Sequence, residues 1–102
     1  MKHRVAERLA DALEDLPAEE RQCFARVAIE PRTLWSDSSV DCLDLWALAY
    51  SRGAVLVYEL RRGNFGVGRL RSSDWVDDYG SFGPDLGPAL RRFLDRDRGD
   101  RD

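Results

Sequence analysis

The sequence predicts an α+β domain, and three observations carry that reading. Apolar residues recur at helical spacing up to Ala28, β-branched and aromatic residues alternate between Val55 and Val67 around a glycine turn, and a second helical stripe closes the chain. The expected architecture is an N-terminal helical hairpin, a small antiparallel β-meander of two or three strands, a short helix and a C-terminal helix. At 102 residues the chain suits one domain over 1–95, with 96–102 a charged tail expected to be disordered.

Val5, Leu9, Ala12, Leu13 and Leu16 share one helical face, while Glu7, Arg8, Asp11, Glu14 and Asp15 occupy others. Pro17 suits the first turn of a second helix, where a missing N–H costs nothing, and Glu19 and Glu20 suit the positive end of its dipole. Leu16, Cys23, Phe24, Val27 and Ala28 form its stripe. Pro31 is expected to end it, because the residue before proline is pushed out of the helical region.

Residues 33–39 read as a loop. The segment Val40 to Tyr50 fits either a helix or a strand; the strand is preferred, because a two-stranded hairpin is marginal and a third strand supports it. Ser51-Arg52-Gly53 then forms a hairpin loop with glycine in the left-handed conformation. Val55 to Leu60 is the clearest strand, followed by a turn at Arg62-Gly63-Asn64-Phe65. Leu56, Tyr58, Leu60, Phe65 and Val67 share the expected core face; Val57, Glu59 and Arg61 lie beside Gly66 and Gly68 on a face partly bare of side chains. Ser73 to Gly80 reads as one short helical turn with serine at the N-cap, early acids and a glycine stop. A final helix starts near Pro88 and buries Leu90, Phe93 and Leu94.

Composition bounds the function. A hydrophobic share of 43% argues against intrinsic disorder, and a net charge of −3 is too mild to imply nucleic-acid binding by charge alone. Charge does change sign sharply along the chain: 61–73 holds Arg61, Arg62, Arg69 and Arg71 without an acid, and 74–88 holds Asp74, Asp77, Asp78 and Asp85 without a base. Exposed ion pairs contribute only about 0.2–1 kcal/mol each, so such blocks bear on partner choice more than on stability. No apolar core follows the charged N-terminus and the apolar stretch 45–58 is broken by Arg52 and Gly53, so a cytoplasmic protein outside the membrane is expected.

No catalytic constellation is evident. His3 is the sole histidine, which removes the usual Ser-His and Cys-His dyads, and Cys23 and Cys42 lack metal spacing. The glycines of Gly63-Asn-Phe-Gly-Val-Gly68 follow a strand but enter another strand, unlike a phosphate-binding loop; they suit close approach of a neighbouring element. Asp74, Asp77 and Asp78 match no calcium loop. No enzyme activity, cofactor or metal is therefore expected. The leading expectation is a non-catalytic protein-binding domain, an inhibitor or immunity-type neutraliser of a more basic partner protein. Asp74, Trp75, Asp77, Asp78 and Tyr79 form its contact patch: aromatics supply rigid area and acids steer a basic partner. Trp35 is a further candidate for the same surface. The alternative is a nucleic-acid-binding regulatory protein using Arg61, Arg62, Arg69 and Arg71 against phosphates.

Overall fold

The computed structural model describes residues 2–36, 44–72 and 74–97. The expected strand start at 40–43 and the tail end at 98–102 lie outside them. Helices α1 (Lys2–Glu14) and α2 (Ala18–Val27) form the predicted hairpin. Val5, Ala12, Leu16 and Phe24 are buried along its apolar stripe. Pro17 is the N-cap of α2, and its carbonyl accepts the N–H groups of Glu20 and Arg21 at 3.0 and 3.1 Å. The C-terminal helix α3 (Leu86–Asp97) buries Leu86, Ala89, Leu90 and Phe93. It includes the first residues of the predicted tail.

The meander expectation of two or three strands is wrong, although the α+β class stands. Strands β1 (Ala28–Thr33), β2 (Trp35–Ser36), β3 (Leu45–Ser51), β4 (Ala54–Glu59), β5 (Asn64–Ser72) and β6 (Trp75–Ser81) build one sheet in the order β1-β3-β4-β5-β6-β2. Every pairing is antiparallel except that of the two-residue β2 with β6. Three corrections follow. Helix α2 stops at Val27 rather than before Pro31, because Ala28 turns extended (φ −63°, ψ 143°) and begins β1. Pro31 sits inside β1, in the stretch where the β1–β3 register shifts, so its missing N–H breaks no regular ladder. Of the segment read as a short helical turn, Ser73 to Gly80, Ser73 lies outside the described residues and Trp75 to Gly80 belong to strand β6.

Only Leu34 separates β1 from β2, yet β1 pairs with β3 and β2 pairs with β6. One stretch of chain, 28–36, thus holds both ends of the sheet. Leu34 N–H donates to the Leu45 carbonyl at 2.9 Å, and Trp35 N–H donates to the Asp74 carbonyl at 2.8 Å. The sheet therefore rolls into a small barrel whose seam lies at Leu34 and Trp35.

Both faces of the sheet are consequently buried, and every residue of β4 is buried. Outward, the expected core face of Leu56, Tyr58, Phe65 and Val67, with Leu60 partly buried beside it, is joined by Trp46 and Leu48 and packs under the three helices. Tyr58 and Phe65 rings lie 4.9 Å apart, and the Arg8 guanidinium sits 5.4 Å from the Phe65 ring centre. Inward, Leu34, Leu45, Ala47, Val55, Val57 and Val76 fill the barrel, with Ile29, Leu70 and Tyr79 against them. The face expected to be bare is thus a second core.

Turn chemistry fixes the hairpins. Arg52 and Gly53 both take positive φ (52° and 84°), as a two-residue primed turn requires. The β4–β5 loop is longer than the expected two-residue turn: Glu59 pairs with Asn64, and Gly63 N–H donates to the Glu59 carbonyl at 2.7 Å. Side-chain facing is the same for either loop length, so the core assignment survives.

Gly66 and Gly68 face the interior opposite Val57 and Val55. A Cβ on Gly66 would press on the Tyr79 phenol and lie 2.5 Å from the Gly80 carbonyl oxygen; one on Gly68 would lie 2.5 Å from Val76 Cγ2. Their bare backbone lets β6 curl over β5. Gly66→Ala is expected to lower the unfolding free energy by about 1–3 kcal/mol. Gly80→Ala, with nothing within 4 Å of its added carbon, should change it by no more than about 0.5 kcal/mol. Urea denaturation of both variants checks the contrast; equal losses would contradict the curling role.

Candidate functional site

At the barrel seam two tryptophans come together. Leu34 and Val76 point inward, so the alternation of extended chain turns Trp35 and Trp75 outward. The parallel register sets Trp35 directly beside Trp75. Trp35 is 59% exposed, the most of any large apolar side chain among the described residues, while Trp75 is half-buried.

Acids border this pair. Asp74 is exposed and supplies the carbonyl that anchors Trp35. Asp77 is half-buried, one strand position beyond the inward-facing Val76. Asp78 is exposed with φ 51°, and its N–H donates to Asp77 Oδ1 at 2.8 Å. The register of β5 against β6 slips here, with Val67 opposite Gly80 but Arg69 opposite Asp77. This bulge moves the inward set of β6 from Val76 to Tyr79.

Tyr79 therefore leaves the predicted contact patch. Its hydroxyl donates to the Glu59 Oε2 inside the barrel. Glu59 is fully buried, and its Oε1 has no hydrogen-bond partner. Burial first, then the hydrogen bond to Glu59 and the charge of that carboxylate, push the Tyr79 phenol far above its ordinary value near 10; Ser81 and Arg62 act in the opposite sense. A helical turn would have set Trp75 and Tyr79, four residues apart, on one face; on the bulged strand they point to opposite sides.

The four arginines of the alternative interface do not converge. Arg61 and Arg62 lie in the β4–β5 loop, where Arg61 Nε is 3.6 Å from the Asp44 carboxylate. Arg69 stands opposite Ala54 and Asp77 near the other end of β5, and Arg71 lies beyond it. At about 3.3 Å per residue, roughly 16 Å of strand separates Asn64 from Arg69. Among the described residues no three His, Cys, Asp or Glu side chains gather to hold a metal ion. No described helix is long and apolar enough to cross a membrane.

Sequence reasoning undervalued Trp35 because its exposure depends on a seam formed with a strand 40 positions away. The local signal was present: Leu34-Trp35 is an in–out pair of extended chain. No protein family, curated protein or solved structure matches the chain.

Tyr79→Phe removes the hydrogen bond to a buried carboxylate and is expected to cost about 1–3 kcal/mol of stability at neutral pH. The raised phenol pKa has a definite sign. An unfolded tyrosine ionises near 10 and the folded one resists, so the Tyr79 contribution is intact below that pH and fades as pH climbs past it. Thermal melts of the wild type and Tyr79→Phe from pH 7 to strongly alkaline solution should converge above the tyrosine range; parallel curves would refute the linkage.

Proposed function

We propose that this chain is a non-catalytic protein-binding domain that acts on a more basic partner protein, as an inhibitor or a neutraliser of the immunity type. The observation that carries the reading is the exposed Trp35 held beside Trp75 at the barrel seam. An exposed tryptophan gains nothing for the isolated fold, whereas it is a frequent anchor in protein interfaces. The seam backbone is hydrogen-bonded on both sides, Leu34 to Leu45 and Trp35 to Asp74, which lowers the ordering cost of docking.

Asp74, Asp77 and Asp78 give the patch its preference. Acids at the rim of an aromatic anchor raise the encounter rate with a positive surface and disfavour acidic competitors. The contact set is therefore Trp35, Asp74, Trp75, Asp77 and Asp78, with Tyr79 serving the interior instead.

A tagged pull-down from host lysate, nuclease-treated and run at several salt concentrations beside the Trp35→Ala variant, tests this reading. A basic protein should be retained by the wild type at moderate salt and captured about tenfold less well by the variant. The variant should melt as the wild type does, since most of the side chain is already in water. Equal capture by both proteins, or retention of nucleic acid alone, would overturn the proposal.

A further inference from the structure

The open face of Trp35 and the carboxylates beside it attract the same kind of group. An indole face is electron-rich and draws a cation onto the ring, and Asp74, Asp77 and Asp78 place negative charge along the neighbouring strand. Among the described residues none of these three carboxylates is ion-paired, and Arg69, opposite Asp77 in the register, stands outside ion-pair distance. The helices pack chiefly on β1, β3, β4 and β5, and Trp35 keeps 59% of its surface in water.

The strands set the spacing. Val76 points inward between Trp75 and Asp77, so these two share the outer face of β6. Trp35 is paired with Trp75, and two strand steps with one interstrand spacing put its Cα about 8 Å from that of Asp77. One arginine side chain spans that gap: its guanidinium lies flat on an indole while its edge donates to a carboxylate. The ammonium of lysine is compact and strongly hydrated, with no plane to stack. An uncharged anchor gains contact with Trp35 but leaves the acids without a partner. The Asp74 carbonyl holds the Trp35 N–H at 2.8 Å, so the indole is fixed against the acidic strand before anything docks.

We propose that the seam recognises an arginine side chain of the partner protein, its guanidinium stacked on Trp35 and its N–H groups donated to Asp77. Asp74 and Asp78 add attraction at longer range. The proposal rests on the protein-binding reading of the seam and narrows it from a basic surface to one type of side chain.

Titration of the full-length ¹⁵N-labelled protein with a blocked glycine–serine peptide holding one central arginine, followed by amide and indole spectra, tests it. Saturable shifts are expected at the Trp35 indole N–H and at the Asp77 and Asp78 amides. The same peptide with lysine should bind about threefold or more weakly, and with citrulline, which keeps the plane without the charge, about tenfold more weakly. Trp35→Ala should remove the preference for arginine over lysine. Asp77→Asn, which keeps an Oδ1 for the Asp78 N–H, should weaken the arginine peptide about threefold. The same spectra report whether each variant is folded. Equal affinity for arginine and lysine, a preference that survives Trp35→Ala, or shifts that fail to saturate would each overturn arginine recognition. Should the pull-down still capture a basic protein in those cases, the seam remains a protein-binding surface and only the arginine is lost. An intact arginine preference with no protein captured would instead overturn the protein-binding reading.

Discussion

The close approach of β6 to the bare backbone of Gly66 and Gly68 is the contact on which the rest of this structure depends. A sheet of this size closes only if some strand pair bends sharply, and here the bend is made where the inward side of β5 has no side chains. Tyr79 and Val76 occupy the space that Cβ atoms would have taken. The bulge at Asp78 then completes the bend by letting β6 gain a residue on β5. Curled in this way, β6 meets the segment that leaves β1, and Trp35 comes to lie beside Trp75. The seam is thus a consequence of two missing side chains on a strand it does not touch.

Burying a carboxylate within so small an interior is costly, and its position indicates what the cost secures. Glu59 is the single buried charged side chain of the described core. It sits at the end of β4, with Leu45 and Asn64 as register partners and the Tyr79 hydroxyl within the barrel. Strand β4 is apolar on both faces, so hydrophobic alternation alone does not decide which face points inward. A slip by one residue would carry Glu59 under the helices, away from the Tyr79 hydroxyl and among the mainly apolar side chains of the outer cluster. The acid penalises that slip, which apolar residues at every position of β4 would permit. Register is specified here by one polar pair.

The parts of the fold that were legible in the sequence are those with a local cause. The helical hairpin, the strand from Val55 and the C-terminal helix each follow from periodic apolar residues and a turn or cap nearby. The core face of Leu56, Tyr58, Phe65 and Val67 was readable because period-two facing is independent of loop length. What stayed hidden has a long-range cause. Val27-Ala28-Ile29 continues a helical stripe, yet Ile29 gains burial in the barrel and the chain extends. Ser73 to Gly80 has the acids, cap and glycine of a helical turn, but pairing with β5 and the packing of Val76 and Tyr79 inside the barrel outweigh that preference. The seam was half legible: the sequence grouped Trp75 with its acids and offered Trp35 as a further candidate, but the β2–β6 pairing that sets the two tryptophans side by side has no local signal.

The change of charge sign along the chain acquires a geometric meaning once β5 and β6 are seen as neighbours. Bases end at Arg71 and acids begin at Asp74, so the reversal falls at the turn where β5 gives way to β6. Chain reversal and charge reversal coincide, and the boundary between the two blocks becomes a boundary between adjacent strands, with Arg69 opposite Asp77. A continuous basic stripe of the kind that follows a phosphate backbone does not result, because Arg61 and Arg62 are left at the opposite end of the strand. Instead Arg61 and Arg62 stay in the β4–β5 loop and Arg69 and Arg71 lie toward the far end of β5, while Asp74, Asp77 and Asp78 follow on either side of Trp75 and Val76. One hairpin thus carries bases on one strand and acids on the next, and the change of sign falls between them.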